Sequence, residues 1–181
     1  MYRHPYSNAF LPLNGNPMDK ETHLAPKIRV SLDIRGFREP PSKISQMLRM
    51  KPDAAWSKGD VIPEGPMDAY YRGPRPRRRR YSCWSIEASL REYSHNVEDY
   101  VRNILRRISS VRSKIKKIRG ANVMLNVWID LYPGISMPAI VLSKHTMGLL
   151  SEIGADLDCD LALICEKCDE DASKEATPST D

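Results

Sequence analysis

Nowhere in the 181 residues is there an apolar run approaching the roughly 18 residues that a membrane helix needs. The opening stretch, MYRHPYSNAFLPLNGNPMDKETH, also lacks the apolar block of a secretion signal. Both absences lead us to expect no membrane partner and a cytoplasmic location. Cysteine is scarce: Cys83, Cys159, Cys165 and Cys168 are too few and too scattered for a disulfide framework in a chain of this length, so the thiols are expected to be reduced. Cys165 and Cys168 have metal-ligand spacing, but a closed zinc site needs a second close pair of nitrogen or sulfur ligands. His4, His23, His95 and His145 are each isolated, and neither a metal nor a cofactor is expected.

The familiar signatures of catalysis are missing as well. There is no glycine-rich phosphate loop, no Gly-x-Ser-x-Gly turn, no histidine pair at metal spacing and no cysteine near a histidine. A non-enzymatic protein is the expectation that follows.

Positive charge is plentiful. The stretch RGPRPRRRRYSCWSIE places Arg75 and Arg77, Arg78, Arg79 and Arg80 just ahead of Tyr81 and Trp84. The segment from Ser94 to Gly120 adds Arg106, Arg107, Lys116 and Lys117 to further basic residues on one helical side. Guanidinium forks grip phosphate and aromatic rings stack on bases, so these nine residues are the candidate contacts for nucleic acid or for an acidic protein partner. From Glu166 onward six acids outweigh two lysines, which leaves the rest of the chain more basic than the formal charge of +5 implies. Such a balance speaks to association with anionic partners and says nothing of the fold.

Residues 1–26 mix proline, asparagine, glycine and charge without a period and read as a flexible arm. One domain follows over 27–165, with an Arg-rich loop at 61–80, and 166–181 form an acidic disordered tail. In KIRVSLDIR the apolar Ile28, Val30, Leu32 and Ile34 alternate with polar residues, the period of a strand with one buried face. PPSKISQMLRM predicts a short helix and DAAWSKGD a short strand and turn. In YSCWSIE, Trp84 and Ile86 form the inward pair, and the ordered strand should begin within about two residues of Tyr81.

The long apolar phase from Val97 to Ile118 predicts helix with Ser94 as N-cap, a break near Ser109 and Ser110, and Gly120 as stop. ANVMLNVWIDLY and PAIVL read as strands, Ser143 to about Ile153 as a helix ended by Gly154, and LDCDLALI as a last strand. The order β-α-β-β-α-β-β-α-β describes an α+β two-layer sandwich: a largely antiparallel sheet with helices on one face. Trp56 and Trp84 are expected in the core, with Trp128 on the other sheet face. Strand phase also places Asp33, Asp130, Asp158 and Asp160 on that other face, where Arg–Asp pairing is favoured over cation binding.

The pieces VSLDIRG, PSKISQMLRMKPDAAWSKGD, WSIE, YVRNILRRI and GLLSEIGADLDCDL together resemble the bacterial domain-of-unknown-function 4279 family over roughly residues 27–164. The positions that carry the likeness are Trp56, Lys58, Gly59, Asp60, Trp84 and Asp160. The resemblance implies an architecture and no active site, because the family is uncharacterised. Small bacterial α+β domains often serve as immunity or adaptor proteins, an analogy at the level of fold. The resulting expectation is a small cytoplasmic binding protein that acts by protein–protein contact, with an immunity-type role as its sharper form. A nucleic-acid-binding module is the alternative. The N-terminal arm, the Arg-rich insertion and the acidic tail depart from the family pattern and put specificity on the surface.

Overall fold

In the computed structural model, residues 25–63 and 77–164 are described. The acidic tail, nearly all of the N-terminal arm and most of the Arg-rich loop, Arg75 included, lie outside the described residues. Nine elements follow in order: β1 (Lys27–Arg35), α1 (Pro41–Leu48), β2 (Ala54–Trp56), β3 (Cys83–Glu87), α2 (Val97–Arg107), α3 (Arg112–Ile115), β4 (Asn122–Leu131), α4 (Lys144–Ile153) and β5 (Ala155–Leu163).

Alternation along β1 and β4 sends Ile28, Val30, Leu32, Ile34 and Val123, Leu125, Val127, Ile129 to the same side, where all are buried. Leu32 pairs with Ile86 and Ile34 with Trp84, so β3 adds its own apolar phase to that side. Onto it pack Ile44 and Leu48 of α1, Val101, Ile104 and Leu105 of α2, Ile115 of α3, and Leu150 and Ile153 of α4. Each large side chain buried in this way contributes about 1.5–3 kcal/mol. The sheet has five strands in the order β2-β3-β1-β4-β5. All pairings are antiparallel except β4 with β5, which α4 connects as a parallel crossover. The protein is therefore an α+β fold with helices over one face of a mostly antiparallel sheet.

Local chemistry explains the helix ends. Pro41 opens α1, where its missing N–H costs nothing. Asn96 caps α2 by accepting from the Glu98 N–H (3.0 Å), displacing the expected Ser94. Ser94 instead donates to Asp99 (2.6 Å) and accepts from the Asn96 N–H. Ser143 caps α4, and Gly154, at φ +68°, ends it in the left-handed conformation that glycine adopts without strain. The expected break near Ser109 and Ser110 is present, between Arg107 and Arg112, and separates α2 from α3.

Two further expectations are corrected. Residues 138–142, PAIVL, form no strand: this connector leads into α4, with Ile140 and Leu142 packed against the core and no ladder partner among the described residues. Trp56 is not a core residue. It pairs with Cys83, whose phase in β3 is opposite to that of buried Trp84, so Trp56 lies half-buried on the helix-free face.

Candidate functional site

The helix-free face carries a polar network at its centre. Ser31, Asp33, Ser85 and Asn126 are all buried there. Register explains their meeting: Asp33 sits opposite Ser85 on one side, and Ser31 opposite Asn126 on the other. The Asp33 carboxylate accepts from Ser85 Oγ (2.5 Å) and Ser31 Oγ (3.0 Å), and from Arg35 Nη2 (2.7 Å) and Nε (3.1 Å). Arg35 Nη2 also donates to Asn126 Oδ1 (2.8 Å), whose amide donates to Ser31 Oγ (3.3 Å). The carboxylate is thus paired, as a buried charge must be. Cys83 is fully buried beside it, and burial, followed by the Asp33 charge, pushes its thiol well up, which makes it a poor nucleophile. Burial also pushes Tyr81, over which Arg35 lies, up to about 12.

Asp33, Asp130 and Asp160 share this face, as does Trp128, which pairs with Asp160 and Arg29. They lie in different rows. Arg29 binds Asp130 (3.2 Å), Arg35 binds Asp33, and among the described residues no set of three potential ligands could hold a metal ion.

The Arg-rich stretch is folded back at its described end. Ile62 N–H donates to Arg77 O (2.8 Å), Arg79 N–H to Asp60 O (2.8 Å) and Gly59 N–H to Arg79 O (2.8 Å), so 59–62 and 77–79 pair before β3 starts at Cys83. Arg78 donates to Gly59 O (2.8 Å), and the Arg79 guanidinium lies 4.1 Å above the Trp56 ring. Arg77, Arg78 and Arg80 remain exposed. Lys58, Gly59 and Asp60 form the turn that starts this hairpin: Asp60 Oδ2 accepts from Ser57 N–H (2.7 Å) and Gly59 takes φ +93°. Trp56, Lys58, Gly59 and Asp60 are thereby explained as turn and stacking residues.

Arg106, Arg107, Lys116 and Lys117 lie elsewhere, in the helical layer. Arg107 joins α2 to the sheet, binding Asp53 (3.0 Å) and donating to the Glu87 carbonyl. Lys116, Lys117 and Arg106 are exposed. Arg106 borders a cleft of about 440 Å³ between the helices, with Arg102, Arg112 and His145 around Leu105 and Leu149. Glu98 holds the cleft together: it accepts from Thr146 Oγ1 (2.6 Å) and Ser143 N–H (3.1 Å) and pairs with Arg102 (3.2 Å). The eight of the nine expected contacts that are described therefore do not converge on one patch. Arg79 stacks on the helix-free face, whereas Arg106 lies among the helices.

A further surface went unrecognised in the sequence. The apolar phase of β5 points to the helix side, because Leu157 pairs with Leu125 and Leu161 with Ile129. Yet Leu157, Leu161 and Leu163 are 49%, 51% and 73% exposed. Only Ala155, at the start of β5, packs against the core. The opposite phase carries Asp156, Asp158 and Asp160. β5 is also the last strand of the sheet, and nothing among the described residues pairs with its outer edge. The signal was legible as alternation, but alternation does not reveal whether a helix reaches the apolar side.

No curated protein and no solved structure matches the chain. The family model for the domain of unknown function DUF4279 matches residues 26–163, spanning every element from β1 to β5. With that match covering most of its length, the chain belongs to the DUF4279 family.

Proposed function

We propose that this chain is a non-catalytic binding protein of the cytoplasm whose partner is another protein, held on β5. One observation carries the proposal: a row of leucines on a regular strand stands exposed at the end of the sheet. Isolated exposed leucines are ordinary, but a contiguous apolar row on a rigid element is a feature of interaction surfaces. The sharper form is an immunity-type protein, which binds one partner and blocks it. That form asks for the same surface and adds exclusivity.

A nucleic-acid reading has its own support in Arg106, Lys116 and Lys117, which are exposed on the helical layer. Phosphate-driven capture weakens steeply with salt and needs intact nucleic acid; apolar contact needs neither low salt nor nucleic acid. The test is capture from the native host by wild type and Leu161→Lys, with and without nuclease, at two salt concentrations. A partner retained through nuclease and high salt, and lost with Leu161→Lys, is the expected result. Capture abolished by nuclease and salt but indifferent to Leu161→Lys would overturn the protein reading in favour of nucleic acid.

A further inference from the structure

We infer that β5 binds its partner by strand addition, and that the added strand alternates basic with apolar residues. The inference rests on the protein-contact reading above and specifies its geometry. An unpaired strand edge presents a row of backbone N–H and C=O groups that an extended segment can complete. The sheet has two such ends. β2 has three residues and leads into the hairpin stacked on Trp56, whereas β5 offers nine residues.

Side-chain phase then fixes the chemistry of the incoming strand. Residues that face the same way on adjacent strands are neighbours, so one phase of the added strand lies beside Leu157, Leu161 and Leu163 and the other beside Asp156, Asp158 and Asp160. Asp156 and Asp160 make no ion pair with a described residue, and their charges lie along one row. An apolar phase facing the leucines and a Lys or Arg phase facing the carboxylates complement both rows.

The same rows argue against a second copy of this chain. Two β5 strands paired antiparallel in one continuous sheet, helices on the same side, would set acid against acid. A two-fold axis at Cys159, for instance, places Asp158 opposite Asp160 of the other copy, and like charges directly opposite destabilise a pair.

The probe is a synthetic nine-residue peptide of alternating Lys and Val, matched in length to β5. It is compared with a block-scrambled peptide of the same composition, with an alternating Glu and Val peptide, and with the Lys–Val peptide N-methylated on alternate residues in each phase. Affinity is read by fluorescence anisotropy and location by amide exchange of β5. The Lys–Val peptide should bind and protect β5 amides; the scrambled and Glu–Val peptides, one of the two N-methylated peptides and Leu161→Lys should each weaken binding by about tenfold or more, roughly 1.4 kcal/mol, while the other N-methylated peptide, whose methyl groups face away from β5, should bind like its parent. Equal binding of both N-methylated peptides would overturn backbone pairing, and equal binding of the Glu–Val peptide would overturn the charge assignment. Dimerisation of wild type through β5, lost in Leu161→Lys, would replace the partner strand by a second copy. If Leu161→Lys abolishes partner capture while no peptide binds, protein contact stands and strand addition falls. If capture also ignores Leu161→Lys, both fall.

Discussion

Ser45, in the middle of α1, accepts the indole N–H of Trp84 (3.0 Å) while donating to the Pro41 carbonyl (3.2 Å). Trp84 is fully buried, so its N–H has no access to water if that acceptor is lost. Ser45→Ala should therefore cost about 1–3 kcal/mol, the penalty of an unpaired buried donor, read as a lower urea midpoint with an unchanged slope. A midpoint within error of wild type would mean that the indole finds another acceptor. The burial of Trp84 was legible from alternation alone, because Ile86 repeats its phase. Its partner was not, since a helix stripe locates apolar residues and leaves open which polar neighbour turns inward. Trp56 misled for a related reason: Ala54, Ala55 and Trp56 offer no alternation from which to read a face, and three residues set no phase.

Among the elements, the union of α2 with α4 depends on one carboxylate. Hydrogen bonds from Ser143 and Thr146, helped by Arg102, hold Glu98 at about 2, against 4.5 for a free glutamate. A group depressed in the folded state contributes stability that is complete above the unfolded value and disappears as pH falls through the folded one. Wild type should thus lose stability from about pH 4.5 down towards pH 2. Glu98→Gln should start lower at neutral pH and decline less over that window, so that the two melting curves converge in acid. Parallel declines would show that other carboxylates carry the acid limb. The helices and their stops were largely legible, because caps and apolar phase agree locally. PAIVL was not, because a run of apolar residues fits a strand or an extended connector equally, and only a neighbouring strand can make it one.

For the whole molecule, the sheet order decides which parts open first. β1 is flanked by β3 and β4 and covered by helices, whereas β5 has one neighbour among the described residues and an exposed apolar side. Native-state amide exchange should be slowest in β1 and markedly faster in β5. Equal protection would mean that the β5 edge is already covered, which would remove the surface proposed for the partner. The fold class was legible because strand and helix periods alternate along the chain. The exposed leucine row was not, because the sequence of β5 resembles that of an inward-facing strand, and its exposure follows from where the helical layer ends.

The position of β1 also bears on how the protein is made. The first strand of the described residues lies in the middle of the sheet, and its Arg29 meets Asp130, 101 positions later. While a nascent chain is still short of β4, β1 has nothing to close one of its edges, and its isoleucines, valine and leucine have only part of their final cover. Native-like closure of the core must await the emergence of β4 from the ribosome, and contacts so distant along the chain form slowly. The newborn polypeptide therefore has an interval in which its central strand is accessible to chaperones, and stalling synthesis before Asn122 would leave a fragment that can acquire helices but not the centre of its sheet.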